Sequence, residues 1–134
     1  MVGILVVTHG SLAEELVKAA RRIVGEVEEL QAVVIDWDDD VSVAGKVIQD
    51  AIKKLDRGQG VLILTDMFGG TPTNISLSFL NEGNVEIVTG VNLPMLIKYC
   101  NLKEREDLSS VADRIREQGQ KGIYVASHVF KQQG

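Results

Sequence analysis

The 134-residue chain predicts an α/β domain built on a mostly parallel sheet with helices on its faces. Short β-branched apolar runs alternate with amphipathic stretches, the pattern of strands joined by crossover helices. The first run, Gly3-Ile4-Leu5-Val6-Val7, is apolar throughout, as suits a strand buried on both faces. Apolar residues make up 45% of the chain and charged residues 25%, enough for one core, which argues against global disorder.

The elements follow in order. Gly3 to Val7 is the first strand. Ser11 opens a helix with Glu14 at capping-box spacing; Leu12, Leu16, Ala19, Ala20 and Ile23 share one face, and Gly25 ends it. Ala32 to Ile35 is the second strand, followed by the polar bend Asp36-Trp37-Asp38-Asp39-Asp40. Val41 to Leu55 is helical, with Val43, Val47, Ile48, Ala51 and Leu55 inward. Val61 to Thr65 is the third strand. The loop Asp66-Met67-Phe68-Gly69-Gly70-Thr71 then runs into Pro72, suited to the first turn of a helix that holds Ile75 to Leu80. Val85 to Thr89 is the fourth strand, Gly90 to Pro94 a turn, and Met95 to Cys100 begins another helix. Leu108, Val111, Ala112 and Ile115 space a further helix closed near Gly119. The last apolar run, Ile123-Tyr124-Val125-Ala126, reads as a fifth strand of open direction. With no repeat and no Pro/Ser-rich linker, residues 1–134 read as a single domain.

Several function classes drop out on composition. No apolar run approaches the ~20 residues that span a bilayer, and MVGILVV lacks a signal peptide's basic region and cleavage site, so a soluble cytoplasmic protein is expected. Cys100 is the only cysteine, which leaves no intramolecular disulfide and no Cys-based zinc cage. It reads as a small buried hydrophobe, and His128 as a surface residue. Net charge is −5 and aromatics are 4%, so neither a basic stripe nor a stacking platform for nucleic acid is visible. Asp36, Asp38, Asp39 and Asp40 lack EF-hand spacing and read as a solvated turn whose charge suits a basic partner. No metal and no cofactor is expected.

The chemistry gathers at two strand ends. Ligands of open α/β sheets bind at the carboxyl ends of strands, where the strand order reverses. His9 follows the first strand in Thr8-His9-Gly10-Ser11, and Asp66 follows the third. If those strands are neighbours, the two side chains face one crevice. A carboxylate that accepts a hydrogen bond from one imidazole nitrogen fixes the tautomer and leaves the other nitrogen a nucleophilic lone pair. Backbone N–H groups of Gly69-Gly70-Thr71 and of the following helix start can hold a phosphate, and glycine lets main chain approach it closely. Each part alone has an ordinary explanation: a turn histidine, a capping carboxylate, a loop of permissive dihedrals. Together they describe a histidine that accepts a phosphoryl group. Such a histidine must be open to a partner protein, so Leu12, Met67 and Phe68 are candidates for an apolar docking ring, or for plain rim packing. Asn92 and Pro94 are expected to shape the crevice wall.

Three blocks carry a family likeness: Val6-Val7-Thr8-His9-Gly10 with Ala13-Glu14, Asp66-Met67-Phe68-Gly69-Gly70-Thr71-Pro72-Thr73-Asn74, and Gly90-Val91-Asn92-Leu93-Pro94-Met95-Leu96. In order and spacing they resemble the enzyme IIA domain of the mannose-type (mannose/fructose/sorbose) phosphoenolpyruvate-dependent sugar phosphotransferase system. The resemblance covers nearly the whole chain. It implies that His9 is phosphorylated by the phosphocarrier HPr and hands the group to a IIB protein, that Asp66 orients His9, and that Gly69, Gly70 and Thr71 lie on the phosphate side. It also implies a sheet of order 2-1-3-4 and a C-terminal strand exchanged within a homodimer. Phe68 stands where many relatives carry Trp, which keeps an aromatic wall and loses an indole N–H; Thr71 keeps the hydroxyl that some relatives place on Ser. The chain stops at Gly134 without a fused IIB domain, so a separate IIB is expected, with membrane contact only through IIC and IID partners. Other readings keep parts of this site: a regulatory IIA protein whose His9 phosphorylation controls a partner, a small tetrapyrrole metal chelatase, which Val7-Thr8-His9-Gly10-Ser11 resembles, and a flavodoxin-like FMN module, against which the few aromatics count.

Overall fold

The computed structural model describes residues 1–102 and 106–133. Strand β1 (Gly3–His9) sits inside a sheet whose other members are β2 (Leu30–Ile35), β3 (Val61–Thr65) and β4 (Val85–Thr89). All pairings are parallel and the order is β2-β1-β3-β4, the order that the family likeness implied. After β1 the chain adds β2 on one side, then returns to add β3 on the other. The strand order therefore reverses between β1 and β3, the point at whose carboxyl ends open α/β sheets bind ligands.

Period-two alternation divides the core between the two faces of the sheet. Ile4, Val6, Leu62 and Leu64 point to one face, against helices α1 (Leu12–Val24), α4 (Leu93–Cys100) and α5 (Leu108–Lys121). Leu5, Val7, Val61 and Ile63 point to the other, against α2 (Val41–Leu55) and α3 (Thr71–Leu77). A last helix, α6 (Ala126–Gln133), follows α5. Buried Tyr99 of α4 donates its hydroxyl to the Val2 carbonyl, so the polar end of this large core residue is satisfied; burial also pushes its pKa well up. Among the described residues no helix is long and apolar enough to cross a membrane.

The structure departs from the sequence reading in four places. The buried face of α1 is Ala13, Val17 and Ala20, while Leu12 and Ile23 are 47% and 58% exposed. The reason lies at its start: the Ala13 N–H donates to the buried Thr8 Oγ1 at 2.7 Å, which rotates Ala13 inward. Ser11 occupies the N-cap without a side-chain bond, so the expected capping box does not form and Thr8 takes its place. In α2 the buried residues are Ala44, Ile48 and Leu55, which share one face at i, i+4 and i+11; Val43 and Val47 fall to the side of that face and are exposed. Helix α3 stops at Leu77, short of Leu80. Finally, Ile123, Tyr124 and Val125 are not a strand within this chain: they are exposed, and Ala126 already begins α6. An apolar run becomes a strand only beside a ladder partner, and none of the four strands pairs with it.

Candidate functional site

The last ladder pair between β1 and β3 is Val7 with Thr65. His9 lies beyond it, where its main-chain N–H meets the Asp66 carboxylate instead of a strand carbonyl. That N–H donates to Asp66 Oδ2 at 3.0 Å, and the His9 ring nitrogen Nδ1 lies 2.8 Å from the same oxygen. One carboxylate oxygen thus holds both backbone and ring. On the other side His9 pairs with Ile35, and the Gly10 N–H donates to the Ile35 carbonyl at 2.9 Å. The His9 side chain keeps 20% of its surface exposed and Asp66 15%.

The charge of Asp66 follows from its contacts. Burial pushes the Asp66 carboxyl up, but the hydrogen bonds from the His9 ring and main chain outweigh it and hold the group below its ordinary value. Asp66 is therefore an anion that only accepts, so an uncharged imidazole beside it carries its hydrogen on Nδ1 and its lone pair on Nε2.

The glycine loop comes to the ring edge that Asp66 leaves free. Gly70, the N-cap of α3, has φ +81° and ψ 165°, a conformation essentially restricted to glycine. A β-carbon there would lie 2.9 Å from His9 Cε1 and 3.0 Å from Nε2. Only bare main chain fits beside that edge. Thr71 opens α3 and Pro72 fills its first turn without an N–H to orphan. The Thr73 hydroxyl donates to the Met67 carbonyl at 2.5 Å and lies 2.8 Å from the Thr65 hydroxyl, which ties the loop to the end of β3.

His9, Asp66 and Gly70 thus come together as the sequence led one to expect, with Gly69 and Thr71 on either side of Gly70. Leu12, Met67 and Phe68 are exposed, Phe68 to 77%, and belong to the segments that follow β1 and β3. One residue escaped sequence reasoning. The indole of Trp37 stacks on the His9 ring, with centroids 5.0 Å apart and planes 25° from parallel. In sequence it was only part of an acidic bend; the available signal was its place two residues after Ile35, the residue that pairs with His9. Asn92 caps α4 and donates to the Gly119 carbonyl at 3.0 Å.

This geometry coincides with a family match. The family described as the PTS system fructose IIA component matches residues 3–116, which include His9, Asp66 and the glycine loop. The chain belongs to the IIA family of the mannose-type sugar phosphotransferase system. It is 29% identical to the fructose-specific EIIA component of Bacillus subtilis over 128 residues, covering 95% of this chain and 88% of that protein. Against the mannose-specific EIIAB component of Escherichia coli K12 the identity is 31% over 126 residues, covering 91% of this chain and 38% of that longer protein. A solved IIA protein associated with the fucose utilization operon of Streptococcus pneumoniae superposes with a TM-score of 0.84 at 28% identity, covering 96% and 95% of the two chains. As a IIA component the chain is a protein of a sugar phosphotransferase system, and the chelatase and flavin readings are left without support.

Proposed function

We propose that this IIA protein is a histidine phosphocarrier that takes a phosphoryl group from HPr on His9 Nε2 and passes it to a IIB protein during sugar uptake. The observation that carries this reading is the 2.8 Å contact between Asp66 Oδ2 and Nδ1, which turns the Nε2 lone pair toward the main chain of Gly70. In the transfer, Nε2 attacks phosphorus, the P–N bond to the donor's histidine breaks, and its electron pair returns to the donor ring. The His9 ring gains positive charge as the new N–P bond forms, and ionised Asp66 opposes that charge through Nδ1–H. Delivery to IIB is the same step with His9 as leaving group.

Asp66 also limits how firmly the phosphoryl group is held. A dianion near a carboxylate is repelled by a few kcal/mol, of order 332/(ε·r) at an effective ε of about 20. The main chain of Gly69, Gly70 and Thr71 offsets part of this with N–H groups that have no partner inside the helix. A shallow well suits a carrier, because a deep one would stop onward transfer. Both partners bring their own histidine, so the site needs an open rim more than a closed cavity, and exposed Leu12, Met67 and Phe68 supply the apolar part of it. The cytoplasm is the compartment in which these partners would be met. A homodimer in which Ile123 to Ala126 pairs with another copy fits the exposure of Ile123, Tyr124 and Val125 and the one-sided pairing of β4.

Incubation with enzyme I, HPr and phosphoenolpyruvate is expected to add one acid-labile phosphate per chain, and none to His9→Ala. Full labelling of His9→Ala would overturn the assignment.

A further inference from the structure

Trp37 is the chain's only tryptophan, and 79% of it is exposed. A large aromatic group left in water invites a reason. Its location is set by the sheet: β2 ends opposite His9, the Gly10 N–H closes onto the Ile35 carbonyl, and the chain then turns so that the indole lies over the imidazole. A β-carbon on Gly10 would come within 3.8 Å of Trp37 Nε1, so the indole also lies close above the main chain after His9.

The contact supplies what Asp66 cannot. A hydrogen bond at Nδ1 restrains the ring at one atom, yet within the tolerance of that bond's length and angle the ring can still rock about its Cβ–Cγ bond. Such rocking moves Nε2, the atom that must meet phosphorus in line. A flat surface against the ring face removes that motion. It also places the electron-rich face of an indole, within the ~6 Å reach of cation–π attraction, against a ring that becomes positive as the N–P bond forms.

We propose that Trp37 is a positioning residue for phosphoryl transfer, holding the His9 ring by its face while Asp66 holds it by its edge. The inference rests on His9 being the phosphoryl acceptor. It differs from a docking role, in which an exposed indole would serve only the encounter with the partner protein.

Two variants and two readouts test it. Trp37→Leu keeps an apolar side chain and loses the aromatic face; Trp37→Phe keeps a smaller one. In proton NMR spectra the His9 ring signals, identified by their absence in His9→Gln, should move downfield in Trp37→Leu as the indole ring current is lost, and less far in Trp37→Phe. His128 signals should stay in place, and an unchanged urea midpoint reports that the fold is intact. In transfer from phosphorylated HPr, kcat should fall about tenfold in Trp37→Leu with KM within about twofold, since small misplacement of a reacting atom costs that order or more. Trp37→Phe should retain most of kcat. Unmoved His9 signals, or a raised KM with unchanged kcat, would overturn the inference in favour of plain docking. Absence of labelling in the wild-type protein would instead overturn the phosphocarrier reading, while the ring signals still report the stack.

Discussion

The rim around His9 and the stretch from Ile123 to Phe130 both expose large apolar side chains, yet their surroundings differ in kind. Around His9 the backbone is fixed by partners distant in sequence, His9 by Asp66 and Gly10 by Ile35, and the Thr73 hydroxyl braces the Met67 carbonyl within the glycine loop. The C-terminal stretch has local backbone bonds, such as His128 N–H to the Val125 carbonyl at 3.0 Å and Val129 N–H to the same carbonyl at 3.4 Å. Apolar exposure at the rim therefore sits on a rigid frame, as a site preorganised by a single chain requires. At the tail it sits on a segment with no strand partner of its own. Exposure alone does not distinguish a prepared site from a surface waiting for another chain; the source of the hydrogen bonds does.

Breaking the rim frame should cost the most. Gly70→Ala brings a β-carbon to 3.0 Å from Nε2 and forces a side chain into a glycine-only conformation. Stability should fall by about 1–3 kcal/mol for the backbone strain alone, and transfer from HPr by about a hundredfold or more because the reacting atom is displaced. Denaturant unfolding and single-turnover labelling measure the two effects. Asp66→Asn keeps an acceptor for the His9 main chain and removes the charge, so kcat should drop about a hundredfold, in line with the loss of an orienting carboxylate beside a reactive histidine.

The same variant has a pH signature. Because Asp66 is held below its ordinary value when folded, its contribution is fully present above the unfolded value of about 4 and is lost as pH falls through the lower folded value. Wild type should therefore lose more stability than Asp66→Asn between neutral pH and the acid range, measured as urea midpoints. Equal losses would mean that the pair adds nothing to folding.

Smaller effects sharpen the contrast. Thr8→Val removes the acceptor of the Ala13 N–H and should cost about 1–2 kcal/mol of stability, the usual loss of a helix cap. At the tail, replacing Ile123 and Val125 with Ser should change single-chain stability by no more than about 0.5 kcal/mol, since both are exposed. Light scattering should report a dimer for wild type and a monomer for the double variant. An unchanged mass would remove the reason offered for the tail's exposure.

Much of this was legible in the amino-acid order. Strands β3 and β4 and helix α2 carry the bounds that their apolar periods predict, because buried parallel strands and long amphipathic helices leave strong local patterns. His9, Asp66 and Gly70 were legible as three chemical types at strand and helix ends. Rotation of α1 was not, since it depends on a hydroxyl one residue before the end of β1 reaching the N–H of Ala13. The fate of Ile123 to Val125 was not, since strand formation depends on a partner edge that no local period encodes. Trp37 was hidden for a related reason: its stack on His9 arises from the β1–β2 register, and its neighbours in sequence are acidic turn residues.

Phosphoryl transfer through this site turns on one atom, His9 Nε2. In the phosphorylated protein, labelled with nitrogen-15, the coupling of phosphorus to the His9 ring nitrogens identifies the bonded one. Coupling to Nε2, with Nδ1 still protonated toward Asp66, is the predicted result; phosphorus bonded to Nδ1, or to any residue other than His9, would contradict the account.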